Sequence, residues 1–254
     1  MKIGIPKEIK TSESRVALMP SDCAQLVRVG HHIVIEESCG VLSGYSDEEY
    51  NAVGCQVVDS KTELYQQAEL IVKVKEPQPL EYDLLTEKHT LFCYLHLAAE
   101  PEVQSALIAS KTTAIAFEGV TDNHGGLPLL KPMSMVAGKL AAQYASIYLH
   151  SHYAGRGVLV DSLEGADKAR VTVLGYGVVG RAAAEHLFAM GAELTIVDRY
   201  KQVLAEAKRL HAEVTKQNVV SDDIESAVSN SDIVIGAVLV HGARAPIDVK
   251  KETL

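Results

Sequence analysis

The amino-acid sequence predicts an α/β protein of two domains. An N-terminal α/β domain is expected over residues 1–128 and an incomplete Rossmann domain, a doubly wound parallel sheet, over 154–254, with an interdomain helix in 129–153. Three observations predict this. Short apolar runs alternate with helix-period segments through the first half of the chain. The stretch 122–132 is dense in turn formers and is followed by a long helical repeat. Finally, Val171-Thr-Val-Leu-Gly175-Tyr-Gly177-Val-Val-Gly180 places a G-x-G-x-x-G turn directly behind a strand-like run.

In chain order, 2–5 reads as a strand, 21–29 as a helix with Ser21 as its N-cap, and 33–36 as a second strand. Helices at 47–53 and 61–67 bracket a strand at 56–58. Strands at 70–74 and 91–94, a helix at 102–110 and a strand at 113–116 complete the domain. From Met133, apolar and small residues recur at helical spacing (Val136, Ala137, Leu140, Ala141, Tyr144, Ile147, Tyr148), giving about five turns. The small residues of this helix suit close packing, including packing between subunits.

In the glycine segment, Gly175 permits the tight turn, Gly177 lets a pyrophosphate approach the backbone, and Gly180 lets the helix pack close to the strand. The helix N-terminus then offers N–H groups and a positive dipole end to an anion. A second strand at 194–197 ends in Asp198, the acid that a βαβ dinucleotide unit places against a ribose. Further elements are a helix at 200–209, strands at 213–215 and 233–237, and a helix at 222–229 between them. Four strands are two fewer than the six of a complete doubly wound domain.

With a net charge of −9 and no basic stripe, the chain is not expected to bind nucleic acid. No run of about 18 apolar residues is present to span a bilayer, and the N-terminus lacks a signal-peptide core. Cys23, Cys39, Cys55 and Cys93 lie far apart without a C-x-x-C pair, which reads as isolated buried thiols in a reducing cytoplasm and gives no metal site.

Three polar residues stand at strand ends or turns of the first domain. Arg15 lies in a polar turn and reads on composition alone as a solvated surface arginine. Lys75 closes an apolar strand ahead of Glu76-Pro77, where a snorkelling lysine and a functional one are equally natural. His96, between Leu95 and Leu97, sits in an apolar stretch; it reads as a core histidine or as a proton-transfer group beside a nicotinamide.

Taken together, Met1-Lys-Ile-Gly-Ile-Pro-Lys-Glu, Glu13-Ser-Arg15-Val-Ala, Val72-Lys-Val-Lys75-Glu-Pro77, Tyr94-Leu-His96-Leu-Ala, Pro132-Met-Ser134-Met-Val-Ala-Gly, the glycine turn and Asp232-Ile-Val-Ile-Gly-Ala-Val-Leu resemble the alanine dehydrogenases along the whole chain. The resemblance implies reversible conversion of L-alanine, water and NAD to pyruvate, ammonium and NADH. It implies that Arg15 and Lys75 bind the substrate carboxylate and carbonyl, with His96 as general acid and base. Cofactor contacts fall to Ser134, Gly175, Gly177, Val178, Val179, Gly180, Val238 and Leu239, with Asp198 on the adenosine ribose. Arg199 beside Asp198 would suit a 2′-phosphate, yet the acid favours NAD. A cytoplasmic homo-oligomer, dimer or hexamer, is implied as well.

Departures from the family pattern carry expectations too. The family continues beyond Leu254 through further dinucleotide strands and an active-site aspartate, so the chain reads as C-terminally truncated, with low or no turnover. Asp161-Ser-Leu-Glu-Gly-Ala-Asp-Lys is more charged than the family linker, and His241 replaces a proline. Two other readings stand beside the dehydrogenase: the NAD-binding module of a proton-translocating transhydrogenase, and a non-catalytic remnant.

Overall fold

The computed structural model describes residues 1–161, 163–210, 215–218, 221–240, 245 and 249. The chain divides into two compact units, Met1–Leu129 and Leu130–Leu254. The first contains strands β1 (Lys2–Ile5), β2 (His32–Glu36), β3 (Gln56–Val58), β4 (Leu70–Val72), β5 (Thr90–Cys93) and β6 (Thr113–Ala116). Its helices are α1 (Pro20–Arg28), α2 (Asp47–Ala52), α3 (Lys61–Gln67) and α4 (Pro101–Ser110). All six strands are parallel, in the order β3-β2-β1-β4-β5-β6. This is the complete doubly wound order, and it reverses between β1 and β4, so the carboxyl ends of those two strands open a switch-point crevice.

Burial on both faces explains the near-continuous apolar strands. Ile5, Ile33 and Ile35 pack with Cys23 and Tyr50 in one core, while Val34, Ile71 and Leu91 pack with Leu64 and Tyr65 in another. Gly4 is required where α3 crosses β1, because a Cβ there would lie 2.7 Å from Leu64 Cδ2 and 2.8 Å from Ala68 Cβ. The first helix begins one residue before the expected Ser21. Pro20 takes the first helical position, which needs no N–H, and Asp22 Oδ2 accepts the Met19 N–H at 3.1 Å. The four cysteines are buried and free, but they are not isolated. Cys23, Cys39 and Cys55 share one core, and a hydrogen bond to Cys55 pushes the Cys23 thiol up.

The second unit contains α5 (Leu130–Tyr148), β7 (Arg170–Leu174), α6 (Val178–Ala189), β8 (Glu193–Asp198), α7 (Lys201–Leu210), β9 (Thr215–Asn218), α8 (Ser221–Ser229) and β10 (Ile233–Gly236). Its four strands are parallel in the order β10-β7-β8-β9. That sequence of neighbours is the 3-2-1-4 portion of the doubly wound order. The third strand of this sheet is described from Thr215; residues 213 and 214, where its start was expected, the segment 241–244 containing His241, and Pro246 lie outside the described residues. Val171, Val173, Leu187, Leu194 and Ile196 fill the core, with α5 laid closely on α6. Gly138 makes that approach possible, since a Cβ there would sit 2.3 Å from the Val179 carbonyl oxygen.

Asp232, just ahead of β10, ties the base of this sheet. Its carboxylate accepts the Arg170 N–H at 2.8 Å and pairs with the Arg156 and Arg170 guanidinium groups. Burial alone would raise its pKa, but these donors outweigh burial and hold it below the usual value of 3.8. The associated stability is therefore fully present above pH 3.8 and is lost as the pH falls through the lower folded value. Asp232→Asn is expected to lower stability at neutral pH and to remove this part of the acid-unfolding limb. Urea titrations at several pH values check it, and parallel acid limbs in the two proteins would refute it.

Candidate functional site

The switch point of the first unit gathers the polar residues singled out in the sequence. The segment after β1 carries Glu8, Glu13 and Arg15, the turn after β4 carries Lys73 and Lys75, and the turn after β5 carries Tyr94 and His96. Arg15 is about half exposed and grips Glu13 along one edge, Nε to Oε1 at 2.8 Å and Nη2 to Oε2 at 2.5 Å. Burial would raise the Glu13 pKa, but Arg15 outweighs it, and Lys75 adds to the lowering, so the carboxyl stays below its usual range. The Arg15 charge is also felt by Tyr94, whose ring stacks against His96 with centroids 6.2 Å apart. Two contacts, Glu13 with Arg15 and Tyr94 with His96, and the field of Lys75 at Glu13 and of Arg15 at Tyr94 place the three residues that the resemblance groups around one switch point.

His96 corrects the expectation of an apolar setting, for it is exposed and sits in the left-handed region at φ 51°. Histidine is among the non-glycine residues that tolerate this region best. The turn is pinned by Glu118, which accepts the His96 N–H at 2.7 Å and the Leu95 N–H at 3.1 Å. β4 also ends earlier than expected, at Val72, and its turn is pinned by Glu8, whose Oε1 accepts the Val74 N–H at 2.6 Å and the Lys75 N–H at 3.4 Å. Glu8, Glu13 and Glu118 escaped the sequence reading. Glu8 and Glu118 clamp residues 67 and 22 positions away, Glu13 grips Arg15 two positions on, and nothing local marks an acid as a loop clamp.

Behind this surface runs a buried ionic network. Lys73, fully buried, sits 2.9 Å from Glu81 Oε1 and 3.4 Å from Glu8 Oε2. Lys61 bridges Glu81 at 3.5 Å and Glu36 at 2.7 Å, and the Tyr65 hydroxyl donates to Glu81 at 3.3 Å. Glu76 is paired with Lys10; burial pulls its pKa up, but the Lys10 ammonium outweighs that and holds it low. Among the described residues no group of His, Cys, Asp and Glu side chains could hold a metal ion.

The second unit presents the glycine turn at the carboxyl end of β7. Gly175 has φ 88° and packs against the chain after β10, where a Cβ would lie 3.0 Å from the Ala237 carbonyl and 3.1 Å from Val238 Cγ2. Gly180 is held by close packing, since its Cβ would fall 1.9 Å from the Gly175 oxygen. Gly177 differs. It is the N-cap of α6 at φ −73°, no side chain caps the helix there, no acid lies in the first turn, and a Cβ would meet no atom within 4 Å. The space in front of Gly177 is open among the described residues, so a group from outside can approach the first-turn N–H groups of α6.

Asp198 ends β8 and braces this turn: Oδ2 accepts the Tyr176 N–H at 2.8 Å and Oδ1 the Tyr200 N–H at 2.9 Å. Each oxygen retains a lone pair for a ribose hydroxyl. Arg199 is exposed and lies over the Tyr200 ring, 5.0 Å from its centre. Val178 and Val179 open α6, Leu239 is exposed beyond β10, and Ser134 is half-buried early in α5, four residues before Gly138. The turn, the helix end and the placed acid fit the pyrophosphate and ribose of a dinucleotide. Gly177→Val is therefore expected to weaken dinucleotide binding by about tenfold or more while lowering stability by no more than about 1 kcal/mol, the cost of a poorer helix N-cap. Gly180→Val should lose stability by about 1–3 kcal/mol or more through overpacking. Dinucleotide titration and thermal unfolding of both variants check the contrast, which fails if Gly177→Val unfolds the protein or binds normally.

A parallel 3-2-1-4 sheet with this turn defines a dinucleotide-binding α/β protein, here accompanied by a second doubly wound unit. Sequence comparison is specific about which: residues 4–137 match the alanine dehydrogenase/PNT N-terminal domain and residues 141–254 the alanine dehydrogenase/PNT C-terminal domain. The chain belongs to the alanine dehydrogenase/PNT family. It is 43% identical to an alanine dehydrogenase of Halomonas elongata and 42% identical to one of Mycolicibacterium smegmatis, each over all of this chain and 69% of the relative. Against a Bacillus subtilis alanine dehydrogenase it is 40% identical, over 99% of this chain and 66% of that protein. A solved L-alanine dehydrogenase superposes with a TM-score of 0.88 at 43% identity, covering all of this chain and 70% of the other. A transhydrogenase from Sinorhizobium meliloti shares the fold, with a TM-score of 0.76 at 22% identity over all of this chain and 74% of that one.

Proposed function

We propose that the protein serves the NAD-dependent, reversible oxidative deamination of L-alanine to pyruvate and ammonium. The observation that supports this reading most is the placement of Arg15, Lys75 and His96 on the turns at one switch point of the first unit, in a protein 40–43% identical to alanine dehydrogenases. Arg15 and Lys75 bind the substrate carboxylate and carbonyl through charge-assisted hydrogen bonds, each about 1.5–3 kcal/mol. Glu13, by sharing the Arg15 guanidinium, fixes the plane in which it meets a carboxylate. His96 moves protons at its ring nitrogen as the carbinolamine forms and breaks down between ketone and imine. NAD, when bound, supplies the hydride acceptor; Gly175, Gly177, Gly180 and Asp198 hold its pyrophosphate and ribose.

NADH consumption with pyruvate and ammonium supplied together tests this. The reading expects consumption only with both present, readable at high protein concentration even where turnover is low. Bound NADH with neither such consumption nor any binding of pyruvate would overturn it and favour a cofactor-binding module. The same reading makes the protein a cytoplasmic homo-oligomer. No helix among the described residues is long and apolar enough to cross a membrane, and Val136, Leu140, Tyr144 and Ile147 on α5 are exposed apolar residues suited to subunit contact.

A further inference from the structure

We propose that Glu8 is a positioning residue of the substrate site, acting through Lys75; the proposal rests on the substrate-binding role given to Lys75 above. Its side chain is only 4% exposed and has two distinct tasks, one per oxygen. Oε2 faces the buried Lys73 ammonium at 3.4 Å, and Lys73 is itself anchored 2.9 Å from Glu81. Oε1 accepts the N–H groups of Val74 and Lys75 at 2.6 and 3.4 Å. The carboxylate therefore transfers the rigidity of the buried ionic network to the peptide that carries Lys75. β4 ends at Val72, and the peptide joining Val74 to Lys75 is held from both sides: its carbonyl accepts the Tyr94 N–H at 3.1 Å, and its N–H reaches Glu8 Oε1 at 3.4 Å. Glu8 thus clamps the N–H side of two successive peptides, those of Val74 and Lys75, opposite the tie to β5.

Only a carboxylate can do both tasks. A glutamine with its oxygen on the peptide N–H groups would turn its NH2 toward the Lys73 ammonium; flipped, it would set NH2 against the peptide N–H groups. Either orientation opposes two donors. Alanine removes both contacts, and aspartate is one methylene too short to span from the β1 turn to both partners.

The test is calorimetric titration of pyruvate, with oxidised NAD in excess so that no turnover occurs, into the full chain and its Glu8→Gln, Lys75→Ala and doubly substituted forms. Glu8→Gln is expected to weaken pyruvate binding about tenfold, the loss of one charge-assisted hydrogen bond, with dinucleotide affinity unchanged. In the Lys75→Ala background the same substitution is expected to have no further effect, because the two act as one unit. Unaltered pyruvate affinity in a folded Glu8→Gln protein would overturn the proposal, and so would an equal effect in both backgrounds. If the parent protein binds NAD but no pyruvate, the substrate reading itself fails, which is a separate result. Should Glu8→Gln not fold, amide hydrogen exchange of the parent decides: slow exchange at Val74 and Lys75 supports the clamp, and exchange at the rate of an open loop overturns it.

Discussion

Replacing His96 by alanine is expected to lower pyruvate- and ammonium-dependent NADH consumption by about 10²- to 10⁴-fold, the range lost with a general acid and base. Dinucleotide affinity is expected to change little, because the substitution leaves the glycine turn and the Asp198 carboxylate intact. The substitution also bears on the backbone. His96 occupies φ 51°, and the Glu118 clamp on the Leu95 and His96 N–H groups does not involve the imidazole. The turn should therefore persist, and His96→Asn, which tolerates the left-handed region equally well, should lose the rate without strain. Steady-state kcat and KM for pyruvate, with NADH affinity from fluorescence, separate these effects. A rate within about threefold of the parent would remove His96 from proton transfer.

Lys73→Met is expected to destabilise the first unit by about 3–5 kcal/mol, the penalty for stranding a buried partner charge. Methionine fills much of the lysine volume, so the loss is electrostatic: Glu8 and Glu81 would face each other in the interior without the ammonium between them. The deficit should depend on pH. Burial already raises the Glu8 pKa against the pull of Lys73, and removing Lys73 raises it further. A group whose pKa is raised by folding favours the folded state below its unfolded pKa and loses that contribution as the pH climbs through the folded value. The deficit is thus largest at neutral pH and shrinks toward the carboxylate range near about pH 4–5. Urea unfolding across this interval is the measurement, and a deficit that stays flat would assign the loss to packing instead.

Much of the architecture was legible because parallel strands buried on both faces read as apolar runs, and because the Gly175 to Gly180 turn carries its own context of strand, helix and acid. The doubly wound order of the first sheet was not legible. Strand order depends on pairings such as Ile3 with Leu70, which no local pattern announces. Ser21 outranks Met19 as a cap on side-chain chemistry alone, yet Pro20 and the Asp22 carboxylate move the helix start. Lys73 hid inside Val72-Lys-Val because a lysine at a strand end normally reaches solvent, whereas two acids far apart in sequence make its burial tolerable. His96 misled for the opposite reason: its leucine neighbours suggested an interior position, and without a glycine nothing flagged the left-handed turn. Arg15, Lys75 and His96 were singled out by the family resemblance, their types alone leaving blander readings open; the acids Glu8, Glu13 and Glu118 on their turns were not singled out at all.

Both units wind the same way through their first four strands, and the turn after the first strand of each occupies the same seat in that plan. In the second unit the seat is lined by glycine and left open in front of α6. In the first, Glu8 fills it with a carboxylate that takes up main-chain N–H groups from the neighbouring strand's turn. One unit leaves the anionic seat to a visitor, and the other carries a resident anion covalently attached to its own chain. The N–H groups at that corner are taken up by the chain's own carboxylate, with Arg15 and Lys75 on the turns around it.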